Sequence, residues 1–255
     1  MNVGPPPGSH QPTLLPPRTP SELLQDMLSY APNALRPTTV IIGWPKEQFL
    51  AALAQDVRQQ QQQQHSSPPN QAHGQHPLLR NPSLAQIASA RHVNMVFAPT
   101  VTHLRAYMAT WTAPPQPAAE KRRHGPDGGA VQPPLLMVYG LLDLHKHDGT
   151  EWSAQGLSIS TAMLVEGAWR SGFRAVMLEP RRRGRQKDDE GEGQGEGQGE
   201  GEVGMDELAA LLSEKAPVLS GTRRPEDAHA PWTGPAVRVA HVLGDWFTLR
   251  RSLTL

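Results

Sequence analysis

No cysteine occurs in the 255 residues, which excludes disulfides, thiolate metal sites and a cysteine nucleophile. Neither sign of charge is in surplus, with 24 Lys and Arg against 24 Asp and Glu. An electrostatic partner site must therefore be local. No apolar run approaches the length of a membrane span, and the Pro-rich start lacks the apolar core of a signal peptide. The chain reads as soluble and intracellular, with no membrane partner. Hydrophobic residues make up only 37% of it, while Pro and Gly number 26 and 23. Low-complexity inserts should therefore interrupt one ordinary core.

Residues 1–18 read as a disordered Pro-rich lead, residues 19–250 as a single domain and residues 251–255 as a tail. Within the domain, inserts are expected at 59–76, 113–133 and 181–204. Thr19-Pro20-Ser21-Glu22 has the form of a capping box, with Thr at N-cap, Pro at N1 and Glu at N3. The helix it opens presents Leu23, Leu24, Met27 and Leu28 on one face and ends near Tyr30. Residues 38–42 are a β-branched run that predicts a buried strand. Gly43-Trp44-Pro45 breaks it, and a helix follows with Phe49, Leu50, Leu53 and Val57 facing inward.

Gln59 to Gln64 open a low-complexity stretch. A short helix is expected over 84–91, a strand over 92–97 and a helix over 101–111 carrying Val101, Leu104, Met108 and Trp111 inward. Residues 135–138 form the clearest buried strand, continuing through Tyr139, Gly140, Leu141 and Leu142. A helix over 153–171 shows Leu157, Thr161, Leu164 and Ala168 at helical spacing and stops at Gly172. Residues 175–178 give the next strand, residues 206–214 a helix, and residues 237–242 and 246–249 closing antiparallel strands. Strand–helix alternation for most of the length predicts an α/β sandwich with a mainly parallel sheet.

The strand, Gly-led turn and amphipathic helix over 38–53 stand where a phosphate-binding loop would stand. A working loop reads G-x-x-x-x-G-K-[ST], with glycines for backbone approach, Lys for phosphate charge and a hydroxyl for magnesium. Here the segment is Gly43-Trp44-Pro45-Lys46-Glu47-Gln48-Phe49-Leu50. The first glycine is kept, and Gln48, Phe49 and Leu50 replace the second glycine, the Lys and the hydroxyl. Lys46 is a displaced cation in the loop. The run 135–141 resembles the strand whose aspartate orders magnesium in RecA-type proteins, with Tyr139 in the aspartate position and Asp143 beyond it.

The order of these segments resembles the RecA-like recombinase paralogues, in particular the degenerate Shu-complex type. Leu84-Ala85-Gln86-Ile87, the strand ending at Phe97 and the helix 101–111 fall between the two landmarks, and a Trp246-Phe247 step closes the chain. The likeness spans roughly residues 20–250. It implies a RecA-like fold with lost nucleotide motifs, no catalysis and no cofactor. It further implies a nuclear subunit that assembles with other RecA-like paralogues or a recombinase in homologous recombination and DNA repair. A scaffold subunit of an Elongator-type tRNA-modification assembly, or an NTPase using Lys46 and Asp143, are the alternatives.

Arg181, Arg182, Arg183, Arg185 and Lys187 follow the strand where RecA-like proteins extend a DNA-contacting loop. These cations could neutralise phosphates of single-stranded or recombination-intermediate DNA, with strong salt dependence. Seven carboxylates among residues 188–202 would compete for them, and no aromatic residue is interleaved to stack bases. A nuclear-localisation patch is the other reading, and it also suits Lys121-Arg122-Arg123-His124. His145-Lys146-His147-Asp148 has a superficial metal spacing but reads as a surface turn. Ser153, Ser158, Ser160 and Thr161 lack a nucleophile-elbow setting. Trp152 and Trp169 flank one helix, and an exposed Trp there would favour a partner surface.

Overall fold

A computed structural model of the chain describes residues 10–29, 37–65, 77–113, 133–181, 200–219 and 234–250. Five short apolar runs supply its parallel strands: β1 (Thr13–Leu14), β2 (Thr38–Ile42), β3 (Val93–Phe97), β4 (Leu135–Tyr139) and β5 (Arg174–Leu178). A sixth, β8 (Thr248–Leu249), pairs in parallel with β1. The sheet order is β3-β2-β4-β5-β1-β8. Strands β2, β4 and β5 are buried on both faces, as a parallel sheet covered on both sides requires.

Alternation along the strands divides the core in two. Val40, Ile42, Leu135, Met137, Tyr139, Val176 and Leu178 face α1 (Pro20–Ser29) and α2 (Lys46–His65). Ile41, Leu136, Val138, Ala175 and Met177 face the opposite layer. That layer holds α4 (Val101–Thr110), α5 (Leu141–His147), α6 (Ala154–Arg170), α7 (Glu200–Ser213) and α8 (Val239–Gly244). A short α3 (Leu84–Ala90) packs on α1. Strands β6 (Lys215–Pro217) and β7 (Ala236–Arg238) form a separate antiparallel pair. The α/β fold with a mainly parallel sheet and antiparallel strands near the C-terminus is therefore present.

Several expectations need correction. The lead 1–18 is not wholly outside the domain: β1 lies between β5 and β8, and residues 13–17 are buried. Its prolines flank the strand, where no ladder N–H is lost. The Gln tract Gln59–Gln64 continues α2 instead of opening an insert, because Gln is a good helix former. Residues 141–147 form α5, so the strand stops at Tyr139. Gly140 adopts φ 83, a left-handed conformation that breaks the extended run. Residues 239–244 are helical and β8 is parallel, so the closing strands are only partly antiparallel. Helix α7 starts at Glu200, ahead of the expected 206. The remainder of the inserts, the Lys121–His124 cluster and the tail lie outside the described residues. No helix among the described residues is long and apolar enough to cross a membrane.

Candidate functional site

In a parallel sheet all strand ends of one kind lie on one edge, and ligands bind at the carboxyl edge where connections from neighbouring strands leave to opposite faces. Three such places fall within this sheet. One lies between β3, which leads to α4, and β2, which leads to α2 on the other face. The next lies between β2 and β4, which leads to α5 on the face of α4. The third lies between β1, which leads to α1, and β5, which connects on to α7 on the far side. At the first, Phe49 from α2 packs edge-on against Phe97 at the end of β3.

Between β2 and β4 the backbones close on each other. Gly43 N–H donates to Tyr139 O (2.9 Å), and on the other side of β4 Gly140 N–H donates to Leu178 O of β5 (2.9 Å). A Cβ on Gly43 would lie 2.7 Å from Gly140 O, so only glycine fits the approach. Aromatic rings fill the layer below. Tyr139 packs edge-on against Trp44 (5.6 Å between centroids) and Phe49 (6.1 Å), and Phe49 against Phe97 (6.0 Å). Trp44 Nε1–H donates to the Asp143 carboxylate at 2.7 Å, which draws the indole across the strand ends.

Phe49 and Tyr139 lie together, with 6.1 Å between their ring centroids. Leu50 does not join them: it is 48% exposed, because α2 turns that position away from the sheet. This corrects both its inward assignment and the idea that it points into a phosphate path. Lys46, Glu47 and Gln48 are exposed on the first turn of α2.

Between β1 and β5 the site is more polar and equally occupied. The capping box forms as the sequence predicts. Thr19 N–H donates to the Glu22 carboxylate (2.9 Å), and Glu22 N–H to Thr19 Oγ1 (3.4 Å). Asp56, buried on α2, accepts from Ser21 N–H (3.1 Å) and from the Ser21 hydroxyl. Gln60 donates to Ser21 Oγ at 3.0 Å. A helix N-terminus attracts anions through its unsatisfied N–H groups and dipole. At α1 two carboxylates of the protein already fill that role.

The β1 and β5 ends are then tied together. Arg18 N–H donates to Glu179 O (2.9 Å), Arg181 N–H to Arg18 O (3.0 Å) and Tyr139 OH to Arg18 O (3.0 Å). Burial raises the Tyr139 phenol further above its usual range, with the nearby Glu179, Asp56, Glu22 and Asp143 carboxylates adding to the effect. The hydroxyl is a fixed donor and cannot stand in for a metal-binding carboxylate.

Glu179 is a site residue that sequence reasoning missed. It follows β5 directly and is fully buried. Its carboxyl group accepts from Leu142 N–H (2.8 Å) and Asp143 N–H (3.3 Å), capping α5. Burial pushes its pKa up to about 8, against the pull of those two donors. The signal available was the acidic residue ending a buried strand before Pro180.

The cation loop is largely beyond view, since Arg182, Arg183, Arg185 and Lys187 lie outside the described residues. Arg181 is described, and it corrects the reading for that position. Its guanidinium pairs with Glu22 (2.8 Å) and lies 3.9 Å from Glu207, so it joins α1 to α7. Withdrawing it to bind phosphate would strand buried charge.

His145 is also corrected, since it is no turn residue but fully buried on α5. Nδ1 meets Glu151 O (2.9 Å) and Nε2 meets Ser160 Oγ (3.0 Å). Arg105 Nε–H donates to the same Ser160 oxygen at 3.1 Å. Base, hydroxyl and orienting carbonyl have the form of a nucleophile site. Ser160 is nevertheless buried and its oxygen is shared between two partners, so the group serves packing. Among the described residues no cluster of His, Asp or Glu is arranged to hold a metal ion.

No protein-family model and no curated protein matches the chain. Among solved structures it is similar to a DnaB-like replicative helicase, described with its interactions with primase, at 11% identity and a TM-score of 0.35. The match covers 71% of this chain and 42% of that one, so the chain spans under half of the helicase's length.

Proposed function

We propose that the chain is a non-catalytic subunit with a RecA-like fold, which assembles with other RecA-like paralogues or a recombinase and supports homologous recombination and repair. One observation carries the non-catalytic part: the anion position at α1 and the space between β2 and β4 are filled by the protein itself. Carboxylates from Glu22 and Asp56 cap α1, Glu179 caps α5, and Trp44, Phe49 and Tyr139 fill the space between β2 and β4. A triphosphate at α1 would meet carboxylates of its own sign on N–H groups already engaged, and one between β2 and β4 would meet packed rings. What the fold has left to offer is shape and surface.

The recombination setting rests on the sequence resemblance. Contact with DNA would fall to Arg182, Arg183, Arg185 and Lys187, since Arg181 is engaged internally. The test has two arms. Mg-ATP should leave the melting temperature unchanged, because only a ligand of the native state raises it. Affinity purification of the full chain should recover recombinase paralogues; ring subunits of an Elongator-type assembly would place it in RNA modification instead. Hydrolysis of ATP by the pure chain would end the non-catalytic reading.

A further inference from the structure

The outer stripe of α6 departs from what a solvated helix face should carry. Leu157, Leu164 and Ala168 face the sheet and are buried. On the opposite side Trp169 is 65% exposed and Ile159 43% exposed. A tryptophan left in water forgoes a large burial gain, and the residue is the commonest anchor of protein interfaces. Its flanks are informative. Glu166 stands one turn before it and Arg170 directly after it, both well exposed, with Arg170 Nε 3.7 Å from the Glu166 carboxylate. Beyond them the chain turns at Gly172, where an added Cβ would meet nothing within 4 Å.

We propose that this end of α6 is an interface to a second copy of the chain, crossed by a two-fold axis at the level of Ala168 and Trp169. The charges on this patch are self-complementary. In a two-fold contact each surface meets itself, so every charge must find its opposite within its own patch. When two α6 helices cross antiparallel here, Trp169 lies against Trp169 of the second copy. The two charges, placed on either side of the tryptophan and on one flank of the helix, then exchange partners. Glu166 of one copy meets Arg170 of the other, twice. The weak pair within one helix becomes two pairs across a contact that also covers the indoles.

The inference is independent of the proposed recombination role, because a nucleotide or partner result can go either way without touching it. The experiment is the oligomeric state of the full chain by sedimentation or light scattering, from about 1 to about 100 μM. A dimer dissociating within that range is expected. Trp169→Ala should weaken it by about thirtyfold, and Glu166→Arg or Arg170→Glu alone should give monomer by setting like charges together. Glu166→Arg and Arg170→Glu combined should restore the dimer. Thermal melts of the variants should stay close to that of the parent chain, since all three side chains are exposed. A chain that stays monomeric, a dimer indifferent to Trp169→Ala, or a double reversal that fails to restore association would each overturn the proposal.

Discussion

Two strand–turn–helix units meet at the same edge of the sheet, β1 into α1 and β2 into α2, and they are built to different ends. The unit from β2 has the look of a phosphate loop in sequence, yet the first turn of its helix is exposed and its turn is held by aromatic packing. The unit from β1 looks like a Pro-rich lead, yet its helix start is enclosed by Glu22, Asp56 and Arg181. The anion position is thus satisfied from within at α1 and left to water at α2. A helix N-terminus that supplies its own carboxylates keeps its geometry without a ligand.

The sharpest way to test the enclosed side is through Glu179, whose folded pKa of about 8 lies above its ordinary 4.5. Between those values the folded chain holds a proton that the unfolded chain has released, so stability should fall as pH rises from about 4.5 to about 8 and then level off. Glu179→Gln should remove that slope. It should be about 1 kcal/mol less stable than the parent at pH 5, having lost one acceptor, and roughly 3 kcal/mol more stable at pH 8. Denaturant unfolding across this range would show the two curves crossing. Parallel curves would mean the carboxylate is ionised as it caps α5.

Asp56→Ala comes next and addresses α1 directly. It leaves Ser21 N–H and its hydroxyl without their buried acceptor, at an expected loss of about 3 kcal/mol. The equivalent change at the exposed start of α2, Glu47→Ala, should cost at most about 0.5 kcal/mol. Equal losses would erase the contrast between the two units. On the acid side His145 contributes a smaller effect. Burial lowers its pKa below the ordinary 6.5, so the unfolded chain takes up a proton that the folded chain refuses. Stability should therefore drop as pH falls below about 6.5, and a His145→Gln variant should lack that drop.

The sequence made α1 legible because a capping box is a local device, complete within Thr19 to Glu22. It made β2, β4 and β5 legible because strands buried on both faces read as unbroken apolar runs. β1 was hidden for the opposite reason. A two-residue strand in a three-residue run between prolines carries no periodicity, and its place in the sheet is set by β5 and β8, both remote in sequence. Asp56 was equally hidden, since its partner Ser21 lies 35 positions away and nothing on α2 marks one carboxylate among its polar residues. Gly140 separates β4 from α5 by a left-handed turn, and without that conformation Leu141 and Leu142 extend the apolar run as a strand would. Leu50 misled because one helical pattern admits two inward faces, and packing against Tyr139 chose the one carrying Phe49.

The smallest predicted effect bears on the open side. Lys46 begins α2, where a positive side chain sits at the positive end of the helix dipole and gains nothing from it. Lys46→Ala should therefore leave stability unchanged or raise it by a few tenths of a kcal/mol, with or without Mg-ATP. The opposite result would be informative beyond its size. A parent chain stabilised by Mg-ATP, with the gain lost in Lys46→Ala and kept in Asp56→Ala, would make the exposed start of α2 the ligand side. The carboxylates at α1 would then be ordinary caps, and the β2 unit would be the working loop that its sequence position suggests.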